Sequence, residues 1–318
     1  MKILIYGAGI VGCTYGWQLA ESGNKITVLV RKGKKELIDK NGIHIQCHDF
    51  RGKGKKIIDT VFHPQVIEEL SSKNDFDYII IATNNIQLKE VLPDLAKNSG
   101  KANIMFFQNN WNYFDEIAEQ LPAEKYFFGF PFMVGGGIDR ECIHCAISGS
   151  KFSNTLLGEL NGTVTPRIEK MAEALNKAQL KPLISQQILT WLITHYAVAG
   201  GLSAGILNAG GATSFTSNRS MIKETIKSIR ESLEVCKKRG IDPKSEKSNK
   251  FYYIPLFISA PLAQKIYSNE ALSFMFDGHI NHSPKEIIKM VEDIIYDGER
   301  YNVDMPHLRK LYNGITKS

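Results

Sequence analysis

Cysteine is scarce in this 318-residue chain: five residues, an odd number at spacings that match no disulfide framework. That excludes a disulfide-stapled secreted scaffold and points to reduced thiols in the cytoplasm. The only Cys-x-x-Cys pair is Cys142 with Cys145. It sits in a strand-like run, where residues three apart face opposite sides, so no metal site is expected. Charge of one sign is lacking too: 39 Lys and Arg against 33 Asp and Glu leave a net +6. No basic stripe interleaves with aromatics, which argues against a nucleic-acid partner. From Pro182 to Asn218 there is no Asp, Glu, Lys or Arg. The stretch is long enough to cross a bilayer. Its Gln186, Gln187, His195, Tyr196, Asn208 and many Gly and Ser residues instead predict a buried helix at a domain junction. No signal peptide is expected before the first strand, and no membrane association.

What the chain does have stands at its start. Ile3-Leu-Ile-Tyr6 reads as a buried parallel strand, followed by Gly7-Ala8-Gly9-Ile10-Val11-Gly12. In a βαβ unit, Gly7 makes the tight turn, Gly9 lets the backbone approach a pyrophosphate, and Gly12 lets the next helix press on the strand. The helix then presents unpaired N–H groups and a positive dipole end to the phosphates. A helix at Cys13 to Glu21 and a second strand at Ile26 to Val30 complete the unit. That strand ends not in Asp or Glu, which would accept from a ribose 2′-OH, but in Arg31-Lys32-Gly33-Lys34-Lys35. Arg31 can grip a 2′-phosphate with its planar fork while Lys32 adds a point charge. In sequence no carboxylate lies nearer than Glu36. NADP is therefore the expected cofactor, with basic residues at 31–35 and 51–56 gathered around its edge.

An α/β rhythm continues. Strands are expected at 43–47, 57–62, 77–82, 103–107, 126–132, 143–148 and 155–159. Helices are expected at 64–70, 87–97 and 113–120. From Pro166 onward, apolar spacing of three and four dominates, and helices are predicted at 167–178, 186–207, 218–239, 251–265, 284–296 and 305–312. The expected architecture is α/β: a Rossmann-type dinucleotide-binding domain over 1–165, then an all-helical substrate and dimerisation domain over 166–318. Helix 186–207 could serve a homodimer contact as readily as a domain junction.

Gln108 and Asn109 fall just past the strand 103–107, at the rim where open α/β sheets bind ligands. An Asn amide there can donate to a carbonyl and accept from a ribose at once. Gly135-Gly136-Gly137 could let backbone pass close to a nicotinamide, or form a flexible loop.

The ordered series Gly7-x-Gly9-x-x-Gly12, Arg31, Gln108-Asn109, Gly135, Ser148-Gly149, Ser273-Phe-Met-Phe-Asp277 and Gly298…Pro306 resembles the ketopantoate reductase family over essentially the whole chain. The resemblance implies NADP on the N-terminal domain and hydride transfer to a 2-keto acid lying against the helical domain. It also implies a lysine on the first long helix of that domain, donating to the carbonyl oxygen. Here either Leu192 or Ile193 takes that position, and no Lys occurs from 182 to 218. A second family lysine is replaced by Asn84, which joins the cofactor candidates. Loss of both cations makes a small-molecule carbonyl other than ketopantoate the expected substrate. It leaves two alternatives open: a binding protein that senses NADP, or an opine-type dehydrogenase with His195 as acid. Catalytic candidates are His195 and Asn109. Ser273, Asn208 and Glu286 are the substrate-binding candidates. Asp277 reads as a cap or brace, and Glu286 equally as acidic charge at a helix start.

Overall fold

The computed structural model describes residues 1–151 and 153–316. The chain forms two compact units, Met1–Leu189 and Thr190–Ser318. The first unit holds β1 (Lys2–Tyr6), β2 (Lys25–Leu29), β3 (Ile43–Asp49), β4 (Lys56–Phe62), β5 (Gln65–Ile67) and β6 (Tyr78–Ile81). It continues with β7 (Asn103–Phe107), β8 (Tyr126–Pro131), β9 (Val134–Asp139), β10 (Cys142–Ile147), β11 (Thr155–Gly158) and β12 (Pro182–Ile184). Its helices are α1 (Ile10–Glu21), α2 (Lys35–Asn41), α3 (Leu88–Asn98), α4 (Phe114–Gln120) and α5 (Pro166–Lys177).

Eight strands lie in the order β12-β11-β8-β7-β6-β1-β2-β5, parallel except where β11 meets β8. Chain order reverses between β1 and β6, so the ligand crevice of such a sheet opens at their carboxyl ends. The unbroken Tyr78-Ile-Ile-Ile81 of β6 is buried throughout, as a strand covered on both faces requires. A second sheet runs β4-β3-β10-β9. Helix α1 packs on β1 and β2 and also on β9 and β10. That enclosure explains why Gly12 through Leu19 are all buried and why the helix carries no polar face.

Three expectations change here. The run 64–70 is not a helix: Val66 and Ile67 extend as β5 along the open edge of β2, where Val30 N–H donates to the Ile67 carbonyl at 2.9 Å. Gly135 to Gly137 are not a loop but the middle of β9. Gly136, at φ +149°, has no room for a Cβ beside the His144 carbonyl of β10. Arg51, the first basic residue after Asp49, is tied into the fold. Arg51 pairs with Asp49 at 2.8 Å and donates to the Ala178 carbonyl at 3.1 Å, just beyond α5. β11 and β12 run antiparallel to β8, with Thr155 beside Pro131, so the end of α5 lies at the carboxyl end of β8, on the crevice side of the sheet. Finally, the first unit does not stop at 165. Ile168, Met171 and Leu175 of α5 share one core with Ile3, Ile5 and Val28.

The second unit is helical: α6 (Ile188–Asn208), α7 (Ala212–Ser217), α8 (Arg219–Lys238), α9 (Leu256–Tyr267), α10 (Glu270–His282), α11 (Pro284–Arg300) and α12 (Pro306–Thr316). The expected helix 251–265 is interrupted at Pro255, with a 3₁₀ turn over Lys247–Tyr253 before α9. Helix α6 meets α8, α11 and α12. A Cβ on Gly205 would strike Thr225 of α8, and one on Gly200 would lie 2.6 Å from Ile294 of α11. Its end is clamped by Asn208, whose Nδ2 donates to the Leu311 carbonyl of α12 at 2.7 Å. These glycines of α6 therefore meet neighbouring helices of the same unit. The charge-free stretch follows from that enclosure. No helix among the described residues is long and apolar enough to cross a membrane.

Candidate cofactor site

The fingerprint glycines separate into three physical roles. Gly7 has φ +116°, and a Cβ there would stand 3.1 Å from the Ala82 carbonyl and from Thr83 Cγ2, so the β1 turn rests directly on the end of β6. A Cβ on Gly12 would overlap the Gly7 carbonyl oxygen and lie 2.8 Å from Ile5 Cγ2. Gly12 thus sets how closely α1 sits on β1. Gly9 differs: nothing lies within 4 Å of where its Cβ would be. It is the N-cap of α1, extended at φ −88° and ψ −175°, with no side-chain cap and no acidic residue in the first turn. The N–H groups of that turn, including Ile10 and Val11 beside Ala8, are offered to solvent with an uncompensated positive dipole end.

Two more groups meet this rim. Gln108 is 7% exposed and accepts from Thr83 Oγ1 at 3.4 Å, while its Nε2 is buried with no hydrogen-bond partner among the described residues. Asn109 Oδ1 is likewise buried and unpartnered. Buried amide atoms left unmade cost about 1–3 kcal/mol each. A donor and an acceptor in this state beside an uncapped helix fit the hydroxyls and phosphates of a dinucleotide. Thr83 and the buried Asn110, whose Oδ1 accepts from Tyr113 N–H at 2.9 Å, were invisible in the sequence reading. The run Gln108-Asn109-Asn110 before buried Trp111 was the available signal. Asn84 caps the 3₁₀ turn Asn85–Gln87, accepting from Gln87 N–H at 3.1 Å. Gly135, in β9, pairs with Ala146 of β10, four residues past the carboxyl end of β8.

Arg31 and Lys32 are exposed just beyond β2, and neither makes an ion pair among the described residues. The expectation that no carboxylate stands near them fails. Glu68, brought in by β5, accepts from Gly33 N–H at 2.7 Å and Lys35 N–H at 3.0 Å. Those amides, the Lys35 one foremost, and the Lys32 charge hold its carboxyl below the usual range.

Residues 3–159 match the family described as Ketopantoate reductase PanE/ApbA. This part of the chain is a ketopantoate reductase family domain. The chain is 29% identical over 189 residues to uncharacterized oxidoreductase YkpB of Bacillus subtilis (strain 168), covering 59% of this chain and 58% of that protein. It is 23% identical over 138 residues to 2-dehydropantoate 2-reductase of Streptococcus pyogenes serotype M1, 43% of this chain and 42% of that one. The chain thus matches about half the length of these curated relatives. Among solved structures, D-mandelate dehydrogenase with NADH and anilino(oxo)acetate superposes with TM-score 0.77 at 18% identity, covering 100% of this chain and 97% of that one. The 2-dehydropantoate 2-reductase from Geobacter metallireducens GS-15 gives 0.74 at 17%, covering 100% and 99%. At these identities the likeness is one of fold.

In the helical unit that follows the ketopantoate reductase domain, Leu192 and Ile193, where the family lysine is expected, are buried. His195 stacks on Trp191 with ring centroids 4.6 Å apart and planes 7° from parallel. Burial pushes its pKa down to about 3, so fewer than about one ring in a thousand is charged at pH 7. A neutral imidazole is a poor proton donor, and His195 as general acid loses its basis. The sign for stability is fixed by the same shift. Because the folded ring binds its proton less readily than the unfolded one, stability should fall as pH drops from about 6.5 toward 3. Urea unfolding at pH 7 and pH 5 should differ by about 2 kcal/mol more in the parent than in His195→Phe.

The other candidates are structural. Both amide hydrogens of Asn208 go to backbone carbonyls, of Ala204 at 2.9 Å and Leu311 at 2.7 Å, which corrects its expected role in substrate binding. Ser273 donates to the Tyr267 carbonyl at 3.1 Å. Asp277 accepts from Ala212 N–H at 2.7 Å and so braces α7, as its cap reading anticipated. Glu286 occupies the first turn of α11 behind Pro284.

Proposed function

We propose that this protein is an NADPH-dependent oxidoreductase that reduces the carbonyl of a small 2-keto acid or a related imine, with ketopantoate itself not the substrate. The observation that carries the reading is the uncapped α1 terminus at Gly9 flanked by Arg31 and the unpartnered amides of Gln108 and Asn109. When bound, the nicotinamide supplies a hydride. The chain's own part is to hold the diphosphate on the Ile10, Val11 and Gly12 amides, the 2′-phosphate on Arg31 and Lys32, and the nicotinamide ribose on Asn109. That D-mandelate dehydrogenase was solved with NADH and anilino(oxo)acetate supports a carbonyl ligand of this size.

A second reading is a protein that binds NADP without turnover. It is favoured by the absence of any lysine or arginine from 182 to 218 and by the neutral state of His195. Both needs of the reaction, charge for a carboxylate and a proton for the alkoxide, then go unmet by α6.

Fluorescence titration with NADPH and NADH, then NADPH oxidation against a panel of 2-keto acids and imines, separates the two. Turnover on any member supports the enzyme, and tight binding without turnover supports the sensor. Arg31→Ala should weaken NADPH binding roughly tenfold to a hundredfold and leave NADH within about twofold. An unchanged preference would remove NADP from the account.

A further inference from the structure

The loop that follows β2 is held in shape from outside its own sequence. Lys34 N–H donates to the Arg31 carbonyl at 3.1 Å and Gly33 adopts φ +83°, so residues 31–34 form a tight turn. Among the described residues its backbone amides have one side-chain acceptor, the half-buried Glu68, while the Lys34 side chain pairs with Glu141 at 3.4 Å. A single oxygen of the Glu68 carboxylate, Oε1, receives Gly33 N–H and Lys35 N–H. Lys35 opens α2, and the residue before it offers no side-chain cap. Glu68 therefore caps α2 from another strand and places a negative charge at its positive end. The anchor is itself fixed, because it directly follows Ile67, whose carbonyl takes Val30 N–H one residue before Arg31.

A carboxylate at this place has two opposed effects on a bound phosphate. Its charge repels a dianion, and its hydrogen bonds fix the backbone from which Arg31 and Lys32 project. The geometry favours the second. The oxygen is committed to two amides, and Arg31 and Lys32 are left without ion pairs among the described residues. A fork held in advance loses less entropy when it grips a phosphate than one on a free loop.

We propose that Glu68 is a positioning residue for cofactor selectivity: by pinning the 31–35 turn and capping α2 it presents Arg31 and Lys32 to a phosphate on the adenosine ribose. This rests on the reading of the site as NADP-binding. Here the carboxylate that would mark an NAD site by its nearness serves the opposite preference, because it stands beyond β5 rather than at the end of β2.

The test uses the full chain, with NADPH, NADH, and adenosine 2′,5′-bisphosphate against 5′-AMP as probes, in the parent, Glu68→Gln and Glu68→Ala. The parent should prefer the phosphorylated member of each pair. Glu68→Ala should shrink that preference about tenfold while NADH affinity stays within about twofold. Glu68→Gln, whose amide oxygen can accept the same two bonds, should restore most of it. Melting temperatures verify that each variant is folded. A preference that is unchanged or larger in Glu68→Ala overturns the proposal. So does equal loss of NADH and NADPH binding, which would mean a merely structural role, or a Gln variant no better than Ala. A parent that prefers neither dinucleotide removes the NADP reading and the Glu68 role together, and that outcome is visible before any variant is made.

Discussion

Gly9→Ala should fold as the parent does, with a melting temperature within about 1–2 °C, yet bind NADPH at least about tenfold more weakly. Gly12→Ala should lose stability and binding together. The two substitutions add the same methyl group to very different surroundings. At Gly9 the backbone is extended and no atom lies within 4 Å of the new Cβ, so the folded chain accepts it. That Cβ would occupy the approach to the α1 amides, where a diphosphate has to come close to the backbone. At Gly12 the methyl would meet the Gly7 carbonyl, Ile5 and Ala82. Helix α1 cannot back away, because β9 and β10 press on its other side. Overpacking of this kind costs typically 1–3 kcal/mol, and relief by shifting α1 would misplace every amide of its first turn. Isothermal calorimetry with NADPH and a urea titration of both variants check the pair. A Gly9→Ala protein with parental affinity would show that no diphosphate passes there.

Arg167→Ala should cost about 3–5 kcal/mol of stability, the largest effect expected outside the fingerprint. Its guanidinium donates to both oxygens of Glu159, from Nε at 2.7 Å and Nη2 at 2.5 Å, and also to the Tyr126 carbonyl at 2.8 Å and the Glu124 carbonyl. Thr165, the N-cap of α5, adds its hydroxyl to the same carboxylate at 2.6 Å. The Glu159 side chain is 5% exposed and that of Arg167 16%, so the pair is little screened by water. Removing the arginine leaves a buried carboxylate with one hydroxyl, and also frees the chain before β8 from the start of α5. The double variant Glu159→Leu/Arg167→Met should be less damaging than the sum of the single changes, because no lone charge remains. Urea midpoints of the three proteins measure this. A loss below about 1 kcal/mol in Arg167→Ala would place the pair among ordinary surface ion pairs.

The site was legible where chemistry depends on local backbone. Gly7, Gly9 and Gly12 declare a turn, an approach and a contact through missing side chains alone, and β1-α1-β2 follows from their spacing. Gln108 and Asn109 were placed correctly at a strand end because a strand's length and apolar run show where its rim falls. The helical unit was less legible. Asn208, Ser273 and Asp277 are polar residues of kinds found in binding sites. Whether each faces a ligand or a neighbouring helix depends on where α12, the end of α9 and α7 lie, and no periodicity states that. His195 shows the same limit: an imidazole's proton affinity is set by what buries it, here a stack on Trp191.

Taken alone, the amino-acid order determined the α/β start with its helical continuation and the glycine turn, because each is written in contacts within about a dozen residues. Tertiary structure alone decided what stands beside Arg31. Glu68 is 37 positions away in the chain but adjacent in space through the β2–β5 pairing. It decided likewise that the glycines of α6 meet α8 and α11. The physical reason is common to both. Strand pairing and helix packing join segments whose separation along the chain carries no signal, and electrostatics and burial act across the space they close.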